Sequence, residues 1–533
     1  MSVVSTRSWA PVNRPYRDYL NATNMLAQSA RLLAALAVTP MLVSLFACAA
    51  ESAPDVPVTR PNVVVIVADD LGYGDLGCYG ATKIKTRNID RLAASGVRFT
   101  DAHSSAAFCQ PSRYAILAGK HLMRAKRQGK QTLYFHEGEV TLPSLMKTAG
   151  YRTAAIGKWH LGFGRNGDPD YNAELKPGPL EVGFDSFFGC PRTHNEPPFV
   201  FVENHRMVGY DPTDPIRIVP ASETKEGWGF GISQGARTAH AARPQDRIDL
   251  ILADKAVDFI SRKDPDPFFL YLAFLSPHIP LAPSPEFRGS SEAGGYGDFI
   301  QQLDACVGKV LNTIQDQCLA DNTIVVFTSD NGAVYTEDVV AAHHRPNGLL
   351  LGQKTDAWEG GHRVPFIASW PGRIPQGGTC QRLLCQTDLV ATICDATKVA
   401  VPAGAAEDSL SQLAVFRDPV NAPAVRTEML SQGAGGYALR QGDWLYLPKQ
   451  GSVGFTLPNR KGWPAFGWIG NANSDVDDNG LIKPTAPPDQ LYNLADDPQQ
   501  KANVVRQHPE RAAAMRSRLE QLVPTPAVSP RGG

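Results

Sequence analysis

Apolar positions along the chain come in two kinds of run. Asn62-Val63-Val64-Val65-Ile66-Val67-Ala68 is β-branched or apolar at nearly every position, so it predicts a strand covered on both faces, and it stops at Asp69-Asp70. Pro267 to Leu275 and Thr323 to Ser329 repeat this design, ending near His278 and at Asp330-Asn331. Arg152-Thr153-Ala154-Ala155-Ile156 is a further strand candidate and runs into Gly157-Lys158-Trp159-His160. Between these runs, Asp246 to Arg262 and Asp298 to Leu319 carry apolar residues at three- and four-residue steps and predict helices. The alternation predicts an α/β fold, a large domain whose mostly parallel central sheet is sandwiched by helices. In open sheets of this kind ligands bind beyond the carboxyl ends of the strands, where each of these strands delivers an ionisable group. One convergent site is expected there.

The pattern changes after Ala403. Residues Ala403 to Thr427 are rich in Ala, Pro and Asp and predict a connecting segment. Beyond it, strand-like pieces at Gly436 to Leu447 and Gln490 to Leu494, then a helix from His508 to Leu522, predict a smaller α+β unit. The expected division is a large α/β domain over 61–425 and a C-terminal α+β subdomain over 426–533. The front of the chain carries Arg7, Arg14, Arg17 and Arg31 with Asp18 as its only acid, then an apolar run from Leu32 to Ala50. Residues 1–50 therefore have the layout of a signal peptide, with Met25 as an alternative start. Leu45-Phe46-Ala47-Cys48 is similar to a bacterial lipobox, which would put a lipid anchor on Cys48; Ala47-Cys48-Ala49 also suits ordinary cleavage. Pro40 and the shortness of the run argue against a membrane span. Residues 51–60 would form a tether, and the expected location is the periplasm or cell envelope.

Composition narrows the chemistry. At 533 residues the chain exceeds a single small core. Its 52 Lys and Arg against 53 Asp and Glu give a net charge of -1, which supplies none of the basic field that nucleic-acid binding requires. The 42 Pro and 47 Gly point to many ordered turns and long loops. No pair among the 9 cysteines has the CxxC spacing of a zinc or redox site, and they define no disulfide map.

Cys109-Gln110-Pro111-Ser112-Arg113 precedes the apolar stretch Tyr114 to Gly119. Pro111 suits a first helical turn, which places Cys109 at a helix N-terminus, where amide donors and the dipole favour an anion. This C-x-P-S-R run occurs with Asp69-Asp70, Gly157-Lys158-Trp159-His160-Leu161-Gly162, Ser276-Pro277-His278, Asp330-Asn331-Gly332 and Glu359-Gly360-Gly361-His362-Arg363-Val364-Pro365. Together they resemble the type I, formylglycine-dependent sulfatases of the alkaline phosphatase superfamily, arylsulfatase-like, from about Pro61 to Leu522. Gln110 is larger than the residue often found there, and Ala118 stands where a threonine is common.

The resemblance implies an alkaline phosphatase-like fold and a sulfuric ester hydrolase that releases inorganic sulfate from a sulfated carbohydrate or aryl sulfate. It implies that a maturation enzyme oxidises Cys109 to formylglycine, whose hydrated diol takes the sulfuryl group and expels sulfate with its second hydroxyl. Asp69, Asp70, Asp330 and Asn331, with the modified Cys109, would hold a divalent metal; all-oxygen ligands suit Ca2+, with Mg2+ the alternative. Lys158 and Lys354 would hold sulfate oxygens, Arg113 would orient the formylglycine, His160 would stand beside it, and His278 would protonate the leaving group. Other readings are a phosphonate monoester hydrolase or phosphodiesterase of the same superfamily, and a non-catalytic sulfated-glycan-binding lipoprotein. The segment between Cys190 and Arg247, with His194, Asn195, His205, Trp228 and Arg237, is either a sugar-recognition loop or surface decoration.

Overall fold

Val63, Val65 and Val67 point to one face of their strand and Val64, Ile66 and Ala68 to the other, and all are fully buried because helices cover both faces. The computed structural model describes residues 60–126, 132–216, 243–454, 473–477 and 481–523, with the backbone of two short strands, Ile218–Val219 and Arg237–Thr238. Strand Asn62–Asp69 pairs in parallel with Phe268–Pro277 on one side and Thr323–Ser329 on the other. Phe268–Pro277 pairs with Arg152–Lys158, and that strand with Ser186–Cys190, also in parallel. Antiparallel strands flank this centre and complete a 10-stranded sheet. Helices Ile248–Ile260 and Gly294–Asp316 cover the face of Val64 and Ile66, while Cys109–Ala118 and Leu389–Thr397 cover the face of Val63 and Val65.

The expected α/β architecture with a mostly parallel core is therefore present. Several boundaries differ by a few residues, two of them with a physical cause. The strand expected to end at Ile156 continues through Lys158, so the lysine lies on the sheet itself. The helix expected from Asp298 begins at Gly294, because the Asp298 carboxylate folds back to accept the amides of Gly289 and Ser291 instead of marking the helix start.

A separate 4-stranded antiparallel sheet follows, from Glu428–Gly433, Gly436–Gln441, Trp444–Leu447 and Gln490–Asn493. The expected piece at Gly436 to Leu447 is a hairpin that turns at Gly442, whose φ of 54° suits glycine. Helix Pro509–Leu522 packs Ala512, Met515 and Leu519 onto Leu430, Leu439 and Leu491 of this sheet. The other face of the sheet packs Ala438, Leu445 and Tyr492 against Leu351, Ala357 and Trp358, and Trp358 Nε1 donates to Gln490 Oε1 at 3.0 Å. The small sheet thus backs the loop that carries Lys354.

The leader, the Cys48 motif and the tether up to residue 59 lie outside the described residues. Among the described residues no helix is long and apolar enough to cross a membrane, and Cys78, Cys109, Cys190, Cys306, Cys318, Cys380, Cys385 and Cys394 are all free thiols.

Candidate active site

Strand ends build the site. Asp69 closes its strand, and Asp70 turns into the left-handed region at φ 63°, a conformation that Asp tolerates better than most residues. The amide of Asp70 donates to Asp330 Oδ1 at 3.2 Å, which joins the ends of two neighbouring strands. Next to Asp330, Asn331 donates through Nδ2 to Asp70 Oδ1 at 2.7 Å. On the other side, Lys158 at the end of Arg152–Lys158 reaches Asp69 with Nζ at 2.8 and 2.7 Å from the two carboxylate oxygens. Gly157 allows this approach: its φ is 114°, and a Cβ there would stand 1.8 Å from the Ala273 carbonyl oxygen.

Helix Cys109–Ala118 brings the remaining groups, with Pro111 in its first turn as expected. Cys109 is its first residue, buried, with Sγ 3.6 Å from Asp69 Oδ1. One turn on, Arg113 grips Asp330 Oδ2 with Nε at 2.9 Å and Nη2 at 2.8 Å. Lys354 arrives on a loop whose amide donates to Ala333 O at 3.0 Å, and its Nζ lies 2.7 Å from Asp70 Oδ1. His278 follows the Phe268–Pro277 strand; its Nδ1 lies 2.6 Å from the Ile279 carbonyl and its Nε2 3.6 Å from Asp70 Oδ2. A carbonyl only accepts, so the ring carries hydrogen on Nδ1 and turns Nε2 to the carboxylates.

Asp69, Asp70 and Asp330 thus have Lys158, Lys354 and Arg113 as their nearest cations in a buried cage, with Arg113 also 3.6 Å from Asp69 Oδ1. Burial alone would raise the Asp69 pKa, but Lys158, with His278 and Arg113 behind it, holds it below the ordinary carboxylate range. Asp70 is lowered in the same way, with Lys354 overriding burial. The Cys109 thiol is pushed up to about 12 by burial, against the pull of Lys158 and Lys354. Burial and Lys354 lower His278 below its ordinary value.

His160 stands apart from this cage, in the left-handed region at φ 55°, with Nε2 3.4 Å from Glu196 Oε2. Burial, then Lys158, pushes its pKa down to about 4 despite Glu196. Both residues line a cavity of about 290 Å3 together with Tyr134, Tyr171, Arg192 and Gln110, the residue that follows Cys109 in the chain.

Of the residues expected to meet, Asp69, Asp70, Cys109, Arg113, Lys158, His278, Asp330, Asn331 and Lys354 form one contiguous cluster, and His160 lies on the neighbouring cavity. From the long segment after Cys190, His194 is buried and its Nδ1 lies 3.2 Å from the His278 carbonyl, whereas His205 pairs with Glu181. Asn195 is also buried. Trp228 lies outside the described residues, as does the side chain of Arg237. Sequence reading missed Thr193, whose hydroxyl donates to Asp69 Oδ2 at 3.4 Å, as well as Glu196, Arg192 and the tyrosines of the cavity. Their signal was confined to their position in the long segment, because loop residues carry no periodicity.

Comparison with known proteins gives this arrangement a family. Residues 61–399 match the family model described as Sulfatase. The chain is similar to an N-acetylgalactosamine-6-O-sulfatase of Bacteroides thetaiotaomicron, 35% identical over 501 residues that span 87% of this chain and 93% of that protein. It is 34% identical over 379 residues to the human N-acetylgalactosamine-6-sulfatase (66% and 65% of the two chains) and 33% over 401 residues to rat steryl-sulfatase (65% and 68%). A solved structure from work on glycosaminoglycan metabolism by Bacteroides thetaiotaomicron superposes with a TM-score of 0.76 at 33% identity, covering 87% of this chain and 99% of that one. A Pseudoalteromonas sulfatase shares the fold at 22% identity, with a TM-score of 0.63 over 96% and 94% of the chains. The chain belongs to the sulfatase family and is an enzyme that hydrolyses sulfate esters.

Proposed function

We propose that this enzyme is a formylglycine-dependent, metal-dependent sulfatase of glycans, with 6-sulfated N-acetylgalactosamine as the first candidate substrate. The observation that carries this reading is the placement of Cys109 at a helix start, within 3.6 Å of Asp69, inside the carboxylate and cation cage and beside a polar cavity. As a thiol pushed up to about 12 by burial, Cys109 would be protonated and a weak nucleophile at neutral pH, so the reading takes the working group at residue 109 to be formylglycine, introduced by a maturation enzyme. The hydrated aldehyde would supply one hydroxyl to accept the sulfuryl group and a second to expel sulfate.

The donor set fits a hard cation. Asn331 Oδ1 is buried without a hydrogen-bond partner next to Asp70, and the neighbouring ligands are carboxylates. Asp69, Asp70, Asp330 and Asn331 would hold Ca2+, or Mg2+, with the oxygen introduced at residue 109. The ion would supply positive charge against the sulfate oxygens. Lys158 and Lys354 would bind those oxygens, the one held at Asp69 and the other at Asp70. Arg113, fixed by two contacts to Asp330, would orient residue 109. His278 would pass a proton from Nε2 to the leaving oxygen; because burial and Lys354 lower its pKa, the bound anionic ester would have to favour the protonated ring. His160, neutral and braced by Glu196, would line the leaving-group side. Gln110, Tyr134, Arg192 and Glu196 offer hydrogen bonds that suit a hydroxylated ring better than a sterol.

The domain division at 425/426 is part of this reading, supported by the separate sheet that begins at Glu428. Export and a lipid on Cys48 are also part of it, supported by the leader's layout.

Sulfate release from a panel of N-acetylgalactosamine 6-sulfate, its 4-sulfate isomer, an aryl sulfate, a steryl sulfate and an aryl phosphonate tests the substrate. The 6-sulfated sugar should give the highest kcat/KM. Preference for the steryl sulfate or the phosphonate would contradict the reading.

A further inference from the structure

A second set of ligand atoms shares no residue with the carboxylate cage. His103 ends the short strand Ala102–His103, and Glu359 and His362 open and close the single-turn helix Glu359–His362. All three are fully buried, and one ligand atom from each lies within 4.8 Å of the others. The same loop that carries Lys354 runs into this helix, and Cys109 lies a few residues beyond His103.

Hydrogen accounting around the two rings leaves a gap. His103 Nε2 lies 2.9 Å from Asp101 Oδ1, and His362 Nε2 lies 3.3 Å from the Ala357 carbonyl. Both partners accept only, so each ring carries its hydrogen on Nε2. Arg440 Nη1 also approaches His103 Nε2, at 3.3 Å, but its shorter bond is to Asp101 Oδ1 at 2.8 Å. A bare Nε2 on His103 would set a lone pair against a carboxylate oxygen. The two Nδ1 atoms are then left facing each other at 3.0 Å with a lone pair on each. Of the Glu359 carboxylate that shares this cluster, Oε1 is buried with no hydrogen-bond partner, while Arg363 pairs with Oε2 at 3.1 Å.

A proton between the rings would satisfy the two nitrogens and leave Oε1 unpaired. A cation that bonds all three atoms satisfies them together. We propose that His103 Nδ1, His362 Nδ1 and Glu359 Oε1 form a second, buried metal site that takes zinc. Two imidazoles and one carboxylate match zinc's preference and are poor ligands for calcium. Asp101 and the Ala357 carbonyl, which accept the Nε2 hydrogens, fill the outer-shell role that fixes histidine tautomers at zinc sites. A tetrahedral zinc with bonds of about 2.0–2.1 Å needs the two nitrogens only slightly farther apart than they stand. The site would tie the strand leading to Cys109 to the helix after Lys354, so its role is structural. This proposal does not depend on which sulfate ester the enzyme takes.

The full-length enzyme, produced with zinc and calcium in the medium and dialysed against metal-free buffer, is to be assayed for both elements by plasma mass spectrometry. The site predicts about one zinc per chain. His362→Gln and Glu359→Gln should each retain less than about one-tenth of that zinc and keep their calcium, whereas Asp330→Ala should show the reverse. Phenanthroline, which removes zinc and spares calcium, should lower the melting temperature of the wild type and leave that of His362→Gln unchanged. Folded wild type with calcium but less than about one-tenth of a zinc per chain would overturn the proposal, as would full zinc retention in both variants. If neither variant folds, cobalt substitution of the wild type decides: intense visible bands of tetrahedral Co(II) support the site, and weak octahedral bands or none overturn it.

Discussion

Burial sets what each site residue can do. His278 is enclosed, carries hydrogen on Nδ1 toward the Ile279 carbonyl, and has Nε2 aimed at the reacting centre, so replacing it should remove proton delivery and little else. His278→Ala should slow a sugar sulfate about 10²- to 10⁴-fold and an activated aryl sulfate, whose leaving group needs no proton, far less. Equal losses in kcat on both substrates would show that His278 serves some other purpose. At this scale much was legible. The carboxylates, Lys158 and His278 lie in short motifs at or just past strand ends and Arg113 in the C-x-P-S-R run on a helix, while Lys354 was reached only through the family resemblance; the fold brings them within contact of one another. Thr193, Glu196 and Arg243 were not legible. Arg243 is buried and donates to the carbonyls of Thr193, His194 and Pro198, so it shapes the loop beside Asp69 from far along the chain, and no local pattern announces such a contact.

At the scale of elements, the central strands were readable because a strand covered on both faces must be apolar throughout. Helix ends were less so. The expected helix starts at Asp298, yet the Gly295 amide is held by Asp338 Oδ2 at 3.0 Å and the helix begins at Gly294. The sheet also contains a constraint that hydropathy does not reveal. Strand Arg152–Lys158 delivers Lys158 only because Gly157 and Gly189 let adjacent backbones close up; a Cβ on either would meet a carbonyl oxygen at 1.8 Å. Gly157→Ala should therefore destabilise the protein by about 2–4 kcal/mol through overpacking and a strained φ. Denaturant unfolding measures this, and a change below about 0.5 kcal/mol, typical of an unconstrained surface site, would refute the constraint.

At the scale of the whole molecule, several histidines are buried in neutral form. Burial pushes His121 and His160 down to about 4 and His194 to about 3, each from an ordinary value of 6.5. A folded-state pKa below the unfolded one means that the unfolded chain binds more protons between the two values. The contribution of these groups is complete above 6.5 and is lost as pH falls toward about 4. The melting temperature should hold steady above neutrality and drop steeply below pH about 6.5, before carboxylate protonation sets in; a flat profile down to pH about 4.5 would contradict neutral burial. Export belongs to this scale as well. If Cys48 carries lipid, the wild type should fractionate with membranes and Cys48→Ala should become soluble. An unchanged distribution would favour cleavage at the alanines instead.

The account turns on the chemical state of residue 109. The most direct measurement is peptide mass spectrometry of the segment that contains it, on enzyme made with and without a formylglycine-generating partner and assayed in parallel for sulfate release. Activity should rise in proportion to the fraction of aldehyde at residue 109, and enzyme holding only the thiol should be inactive. Full activity with Cys109 entirely unmodified would contradict the account.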